Sequence, residues 1–201
     1  MGIHLRGGRR TVAVATLFVS ALFGVTGCGT APAPAPQPSA AQPAAAAGAP
    51  AEKTAPPATV RIPKIGAESS LVQIGLKADG TLDVPPVDKP MQAAWYRESP
   101  VPGNRGPALI VGHVDGRQQP GIFFRLREVA AGDQVVVGNG DGSQTTFTVT
   151  RTQQIDKDQL PSDAVYGDTP GPELRLITCG GSFDKAEHSY RDNIIVYAKA
   201  A

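Results

Sequence analysis

The chain has 201 residues, with 19 Lys and Arg against 18 Asp and Glu, three His, two Cys and 19 Pro. Three of the positive charges, Arg6, Arg9 and Arg10, fall in the first 27 residues, which hold no acid, so the rest carries 16 basic against 18 acidic side chains, a balance of −2. That leaves no basic excess for nucleic acid, and the length allows one good domain rather than several.

Residues 1–27 read as an export segment. The three arginines form a basic start, Thr11 to Gly27 is uncharged and mostly apolar, and Val25-Thr26-Gly27-Cys28 closes it. A basic start, an apolar core and small residues before a cut are the export pattern. Cys28 directly after Gly27 resembles a bacterial lipobox, in which that Cys is lipidated and becomes the mature N-terminus; Val25 departs from the commoner Leu. The competing reading is an uncleaved anchor at the short edge of a membrane span. Residues 28–58 are almost wholly Ala, Pro, Gly, Gln and Ser, and cannot bury enough apolar surface to offset the entropy of ordering. Such a Pro-rich tether reaches at most about 90 Å from the membrane, at roughly 3.1 Å per residue.

Residues 59–201 form the globular part and read as mostly β. Thr59 to Pro63 alternates and stops at Pro, and Leu71 to Gly75 is a second short strand. The Asp79-Gly80 turn leads into Thr81-Leu82-Asp83-Val84, then a Pro-Pro break, then Ala93 to Tyr96. Ala108 to Val114 is the continuous apolar run of a strand buried on both faces. Ile122 to Val129 predicts one or two helical turns. Gln134–Val137 and Gln144–Val149 flank the turn Asn139-Gly140-Asp141-Gly142 as a hairpin. Gln159 to Tyr166 fits either helix or strand. Leu174–Thr178 and Asn193–Ala198 are the last strands, the first ending on Cys179. Short strands broken by Gly and Pro argue a barrel or a sandwich.

With Cys28 assigned to the anchor, Cys179 is an unpaired thiol in an exported protein, which makes it a candidate nucleophile as well as an ordinary buried Cys. A nucleophilic thiol needs a proton acceptor, oxyanion stabilisation and an open face. His4 lies in the export segment. His188 sits in the polar loop Asp184-Lys185-Ala186-Glu187-His188, and His113 closes the apolar run that begins at Ala108. Taken singly, Arg191 reads as a surface charge and each histidine as structural or solvated.

Taken together, Gly112-His113-Val114-Asp115, Leu176-Ile177-Thr178-Cys179 and Tyr190-Arg191-Asp192-Asn193 resemble the sortases, in particular the actinobacterial branch called class F. Val60-Arg61-Ile62-Pro63-Lys64-Ile65, Trp95-Tyr96 and Pro107 to His113 are similar to that branch as well, so the likeness covers most of residues 59–199. Arg175 departs from the Thr common there in other classes and is expected to bear on strand context or specificity. The resemblance implies a closed eight-stranded β-barrel with short helical turns, and a groove holding Cys179, His113 and Arg191. It implies cleavage of a Leu-Pro-X-Thr-Gly-like sorting signal through a Cys179 thioester. His113 would shuttle the proton, Arg191 would donate to the oxyanion or fix the substrate backbone, and Thr178 would orient the substrate. Gly180 and Gly181 would permit close backbone approach, or simply make a turn. The implied partners are secreted proteins bearing the signal and an amine of the cell wall or of a pilin. The enzyme is expected to be a monomer on the outer side of the membrane, with no metal, cofactor or nucleic acid. Two alternatives stand beside this: an L,D-transpeptidase-like enzyme, and a non-catalytic tethered binding lipoprotein of the envelope.

Overall fold

The computed structural model describes residues 52–201; Cys28, the export segment and all but the end of the Pro/Ala-rich stretch lie outside them. Eight strands close on themselves into one barrel. β1 (Pro57–Ile62) stops at Pro63, which opens a 3-10 turn over Pro63–Ile65. Gly66 ends that turn at φ 64°, a left-handed value that glycine adopts without penalty. β2 (Ala67–Ile74) returns antiparallel to β1, and β3 (Ala93–Tyr96) pairs with it in parallel. β4 (Gly106–Gly112) lies antiparallel to β3. A two-residue ladder, β5 (Asp115–Gly116) with β6 (Gln119–Pro120), follows at once. β7 (Gln134–Asn139) and β8 (Gln144–Asp156) form the expected hairpin. A 3-10 turn at Lys157–Gln159 and the short helix α1 (Ser162–Tyr166) then lead into β9 (Pro172–Asp184), which pairs parallel to β4. β10 (Ser189–Ala200) pairs with both β9 and β8, and β1 closes the ring on β7.

The closed barrel is the predicted architecture, but several boundaries move. Thr81 to Val84 is not a strand: Leu82 makes only a single bridge to Leu76, and Asp83 N–H donates to Gly75 O at 3.0 Å. Pro85 and Pro86 have no N–H to continue a ladder, so the segment lies over the outside of the barrel instead. Ile122 to Val129 tightens only into a 3-10 turn at Leu126–Glu128. The ambiguous stretch at 159–166 resolves as turn and helix. β8, β9 and β10 run well past their apolar segments, because ladder hydrogen bonds continue where side chains are already polar and exposed.

Strand alternation builds two apolar layers. Val60, Ile62, Ile110, Phe147, Leu174 and Leu176 fill the interior with Phe123 and Leu126. Leu109, Val111, Ile195 and Tyr197 face outward and are covered by Val165 of α1. β4 therefore buries both faces, as its unbroken apolar run predicts.

Arg175 belongs to the outer layer. Its guanidinium is 5% exposed, pairs with Glu173 at 2.7 Å, lies 4.7 Å over the Tyr197 ring and donates to Ala164 O of α1 at 3.1 Å. It fastens the helical wall to β9. Arg175→Ala leaves Glu173 without this partner and is expected to cost on the order of 3 kcal/mol. Urea denaturation measures this, and an unchanged midpoint would refute the anchoring role.

Candidate active site

The meeting of His113 and Cys179 is a matter of register. β4 and β9 are parallel, with Val111 opposite Ile177. Two residues further on come His113, directly after the end of β4, and Cys179 on β9, and extended side chains two apart share a face. Both line one cavity of about 250 Å³ whose walls include Leu82, Val84, Leu160 and Ile177. Cys179 is half-buried and free.

The backbone around His113 is held tightly. Phe123 N–H donates to His113 O at 3.0 Å, and Gly121 N–H donates to Val114 O at 2.8 Å. A Cβ on Gly121 would stand 2.2 Å from His113 O, so only glycine permits this approach. The imidazole Nε2 lies 2.7 Å from Pro85 O. A carbonyl can only accept, so the proton sits on Nε2 and Nδ1 is the nitrogen left to exchange one.

Cys179 is not a strand terminus. β9 continues through Gly180 and Gly181 to Asp184, and a β-bulge falls across from them between Tyr190 and Asp192. Gly181 adopts φ +73°, and a Cβ there would stand 2.4 Å from the Asp192 carboxylate. Asn193 is the residue directly opposite Cys179, and it lines the cavity. Lys157 lines it too, its ammonium donating to Ser189 Oγ at 2.8 Å.

The structure does not bring Arg191 to the cavity. Its exposed guanidinium donates to Asp184 Oδ2 at 2.8 Å and borders a separate surface depression. Arg191 holds the Asp184 carboxyl below the usual carboxylate range, helped by the Ala186 and Glu187 N–H groups. The bulge is the physical reason for this placement. Two β9 residues, Gly181 and Ser182, stand opposite Arg191 alone, so the regular pairing that sets Asn193 across from Cys179 is broken at Arg191. Thr178 also borders the cavity, but it alternates with Leu174 and Leu176 and is paired with Ile194. Its buried hydroxyl lacks a hydrogen-bond partner. His188 is exposed on the β9–β10 turn, at φ 47°.

Sequence reasoning missed a tie between the two halves of the site. Tyr190 donates its hydroxyl to Asp115, two residues after His113, and packs edge-on against Phe183 with ring centroids 5.1 Å apart. The bond to Asp115 pushes the Tyr190 phenol up to about 12, with burial and the nearby Cys179 adding to it. The phenol is therefore a donor at physiological pH, and its contribution is lost only as pH rises from about 10 through about 12. Asp115 and Tyr190 both stand within the quoted motifs, but their pairing is long-range. Pro85 gave no signal beyond a loop. Among the described residues, no group of three His, Cys, Asp or Glu side chains is placed to hold a metal ion, and no helix is long and apolar enough to cross a membrane.

A thiol and an imidazole beside parallel neighbours of a closed mixed barrel line one mostly apolar cavity, an arrangement suited to cysteine acyl transfer. The family model described as Sortase domain matches residues 60–201, and the chain belongs to the sortase family of cysteine transpeptidases. Solved structures carry the same fold at low identity. Sortase C1 of Streptococcus agalactiae in complex with MTSET is 19% identical, with a TM-score of 0.54 over 72% of this chain and 66% of that one. A lid mutant of sortase A from Corynebacterium diphtheriae is 18% identical, with a TM-score of 0.56 over 74% and 72%. Sortase C-1 from Actinomyces oris is 17% identical, with a TM-score of 0.56 over 72% and 73%. The chain thus spans just under two thirds of the length of the first of these. A search of curated proteins found no match.

Proposed function

We propose that the protein cleaves a Leu-Pro-X-Thr-Gly-like signal in secreted proteins and transfers the new Thr carboxyl end to an amine of the cell wall or of a pilin. The observation that carries this is the shared cavity: Cys179 and His113 both line it, and the remaining walls are mostly apolar, as a Leu-Pro segment requires. Cys179 Sγ attacks the Thr carbonyl carbon and the oxyanion forms. Its collapse breaks the C–N bond to Gly, and the protonated imidazole of His113 gives a proton to the departing amine. The incoming amine then loses a proton to His113, attacks the thioester and expels the thiolate. Incubating the domain with such a peptide and hydroxylamine should release the Gly-side fragment and form a hydroxamate. Failure across a peptide library would sink the reading.

Within this reading Arg191 stabilises the oxyanion or fixes the substrate backbone after leaving Asp184. Its planar fork suits this better than an ammonium. Arg191→Lys is therefore expected to lower kcat about 10²-fold, whereas Asp184→Asn retains activity. Steady-state kinetics on both variants decide it, and full activity in Arg191→Lys would remove Arg191 from the chemistry. Thr178 orients the bound substrate. The class F motifs suggest kinship with that branch. The chain works as a monomer outside the membrane, held there by a lipid on Cys28 or by an uncleaved anchor, with residues 28–58 as the tether.

A further inference from the structure

The cavity at Cys179 is one end of a longer trough. A second depression, of about 750 Å³, shares Leu82 and Tyr166 with it and extends to Leu76, Tyr96 and Pro107. Pro107 lies near the start of β4 and His113 directly after its end, so β4 runs beneath both depressions. At about 3.3 Å per residue, the span from Pro107 to His113 is about 20 Å. The acyl side of the signal, from Leu to Thr, takes four extended residues, or only about 13 Å.

The direction of the chain follows from the chemistry. Cys179 keeps the acyl side, whose Leu-Pro residues match the walls formed by Leu82, Val84 and Leu160. The polypeptide N-terminal to them therefore leaves past Leu82 and Tyr166. Glu98 and Asp168 border this far end. Glu98 is paired with Arg97 at 3.2 Å, whereas Asp168 is exposed and takes part in no ion pair among the described residues. We propose that the second depression binds, in extended form, the two or three residues of the client protein immediately N-terminal to the sorting signal, and favours a basic side chain there. This rests on the function proposed above and names which part of the client that site also reads.

Three peptides test it on the purified chain: the minimal signal, and the signal preceded by three residues that include either Lys or Glu. Both extended peptides should show a KM several-fold below that of the minimal one. kcat should be unchanged, since contacts remote from the reacting bond bind substrate and transition state alike. The Lys peptide should bind about threefold to fivefold better than the Glu peptide, the range of an exposed ion pair. Asp168→Asn should bring that ratio close to one, and Leu76→Gln should diminish the gain from extension. Cleavage of all three peptides with one KM would overturn this inference alone. Cleavage of none would overturn the function on which it rests.

Discussion

Cys179→Ala is expected to abolish both release of the Gly-side fragment and hydroxamate formation, a loss of at least about 10³-fold in kcat. No other thiol can take over, because Cys28 is the only other cysteine and stands in the N-terminal segment. The substitution should leave the fold intact. Cys179 is half-buried, on the outer face of a strand held on both sides by β4 and β10. Removing one sulfur there changes stability by about 1 kcal/mol or less. Thermal denaturation run beside the assay separates lost chemistry from lost fold. A variant that unfolds normally yet still forms hydroxamate would rule out a covalent role for Cys179.

His113→Ala carries the second large effect, an expected loss of about 10²-fold to 10⁴-fold in kcat, the range of general acid–base catalysis. The geometry explains why the side chain is so constrained. Pro85 O fixes the Nε2 proton, Phe123 N–H holds the His113 carbonyl, and that carbonyl lies so close to Gly121 that a side chain there would collide with it. His188→Ala is the internal control. That ring is exposed on the β9–β10 turn, outside the cavity lining, and its loss should leave turnover within about twofold of wild type, as for other exposed surface changes. If His188→Ala were the inactive variant and His113→Ala the mild one, the assignment of the base would be reversed.

The family itself was readable from short segments: the apolar run into His113, the strand carrying Thr178 and Cys179, and the Tyr190 to Asn193 stretch. Each is local. Apolar continuity marks a strand buried on both faces, and Cys179 stands out as the one cysteine outside the N-terminal segment. Arg191 shows where such reading stops. Its motif carries no mark of the register shift between β9 and β10 or of the ion pair with Asp184, since Gly180-Gly181 fits an ordinary turn equally well. The same holds for Thr81 to Val84, which has strand composition but no ladder partner.

By itself the amino-acid sequence determined a mostly β domain, barrel or sandwich, and Cys179 as the one cysteine outside the N-terminal segment. The closed barrel and the choice of His113 over His188 as candidate base followed from the likeness of its motifs to the sortases, and motifs are properties of neighbouring residues. Only the tertiary structure decided that His113 and Cys179 share a cavity, because that depends on the parallel register of β4 with β9, two strands that are distant in the chain. It likewise decided that Pro85 sets the imidazole proton, that Asp115 and Tyr190 tie the two sides of the site together, and that Arg191 rests on Asp184. Long-range pairing is settled by packing many weak contacts at once, and no single segment encodes its partner.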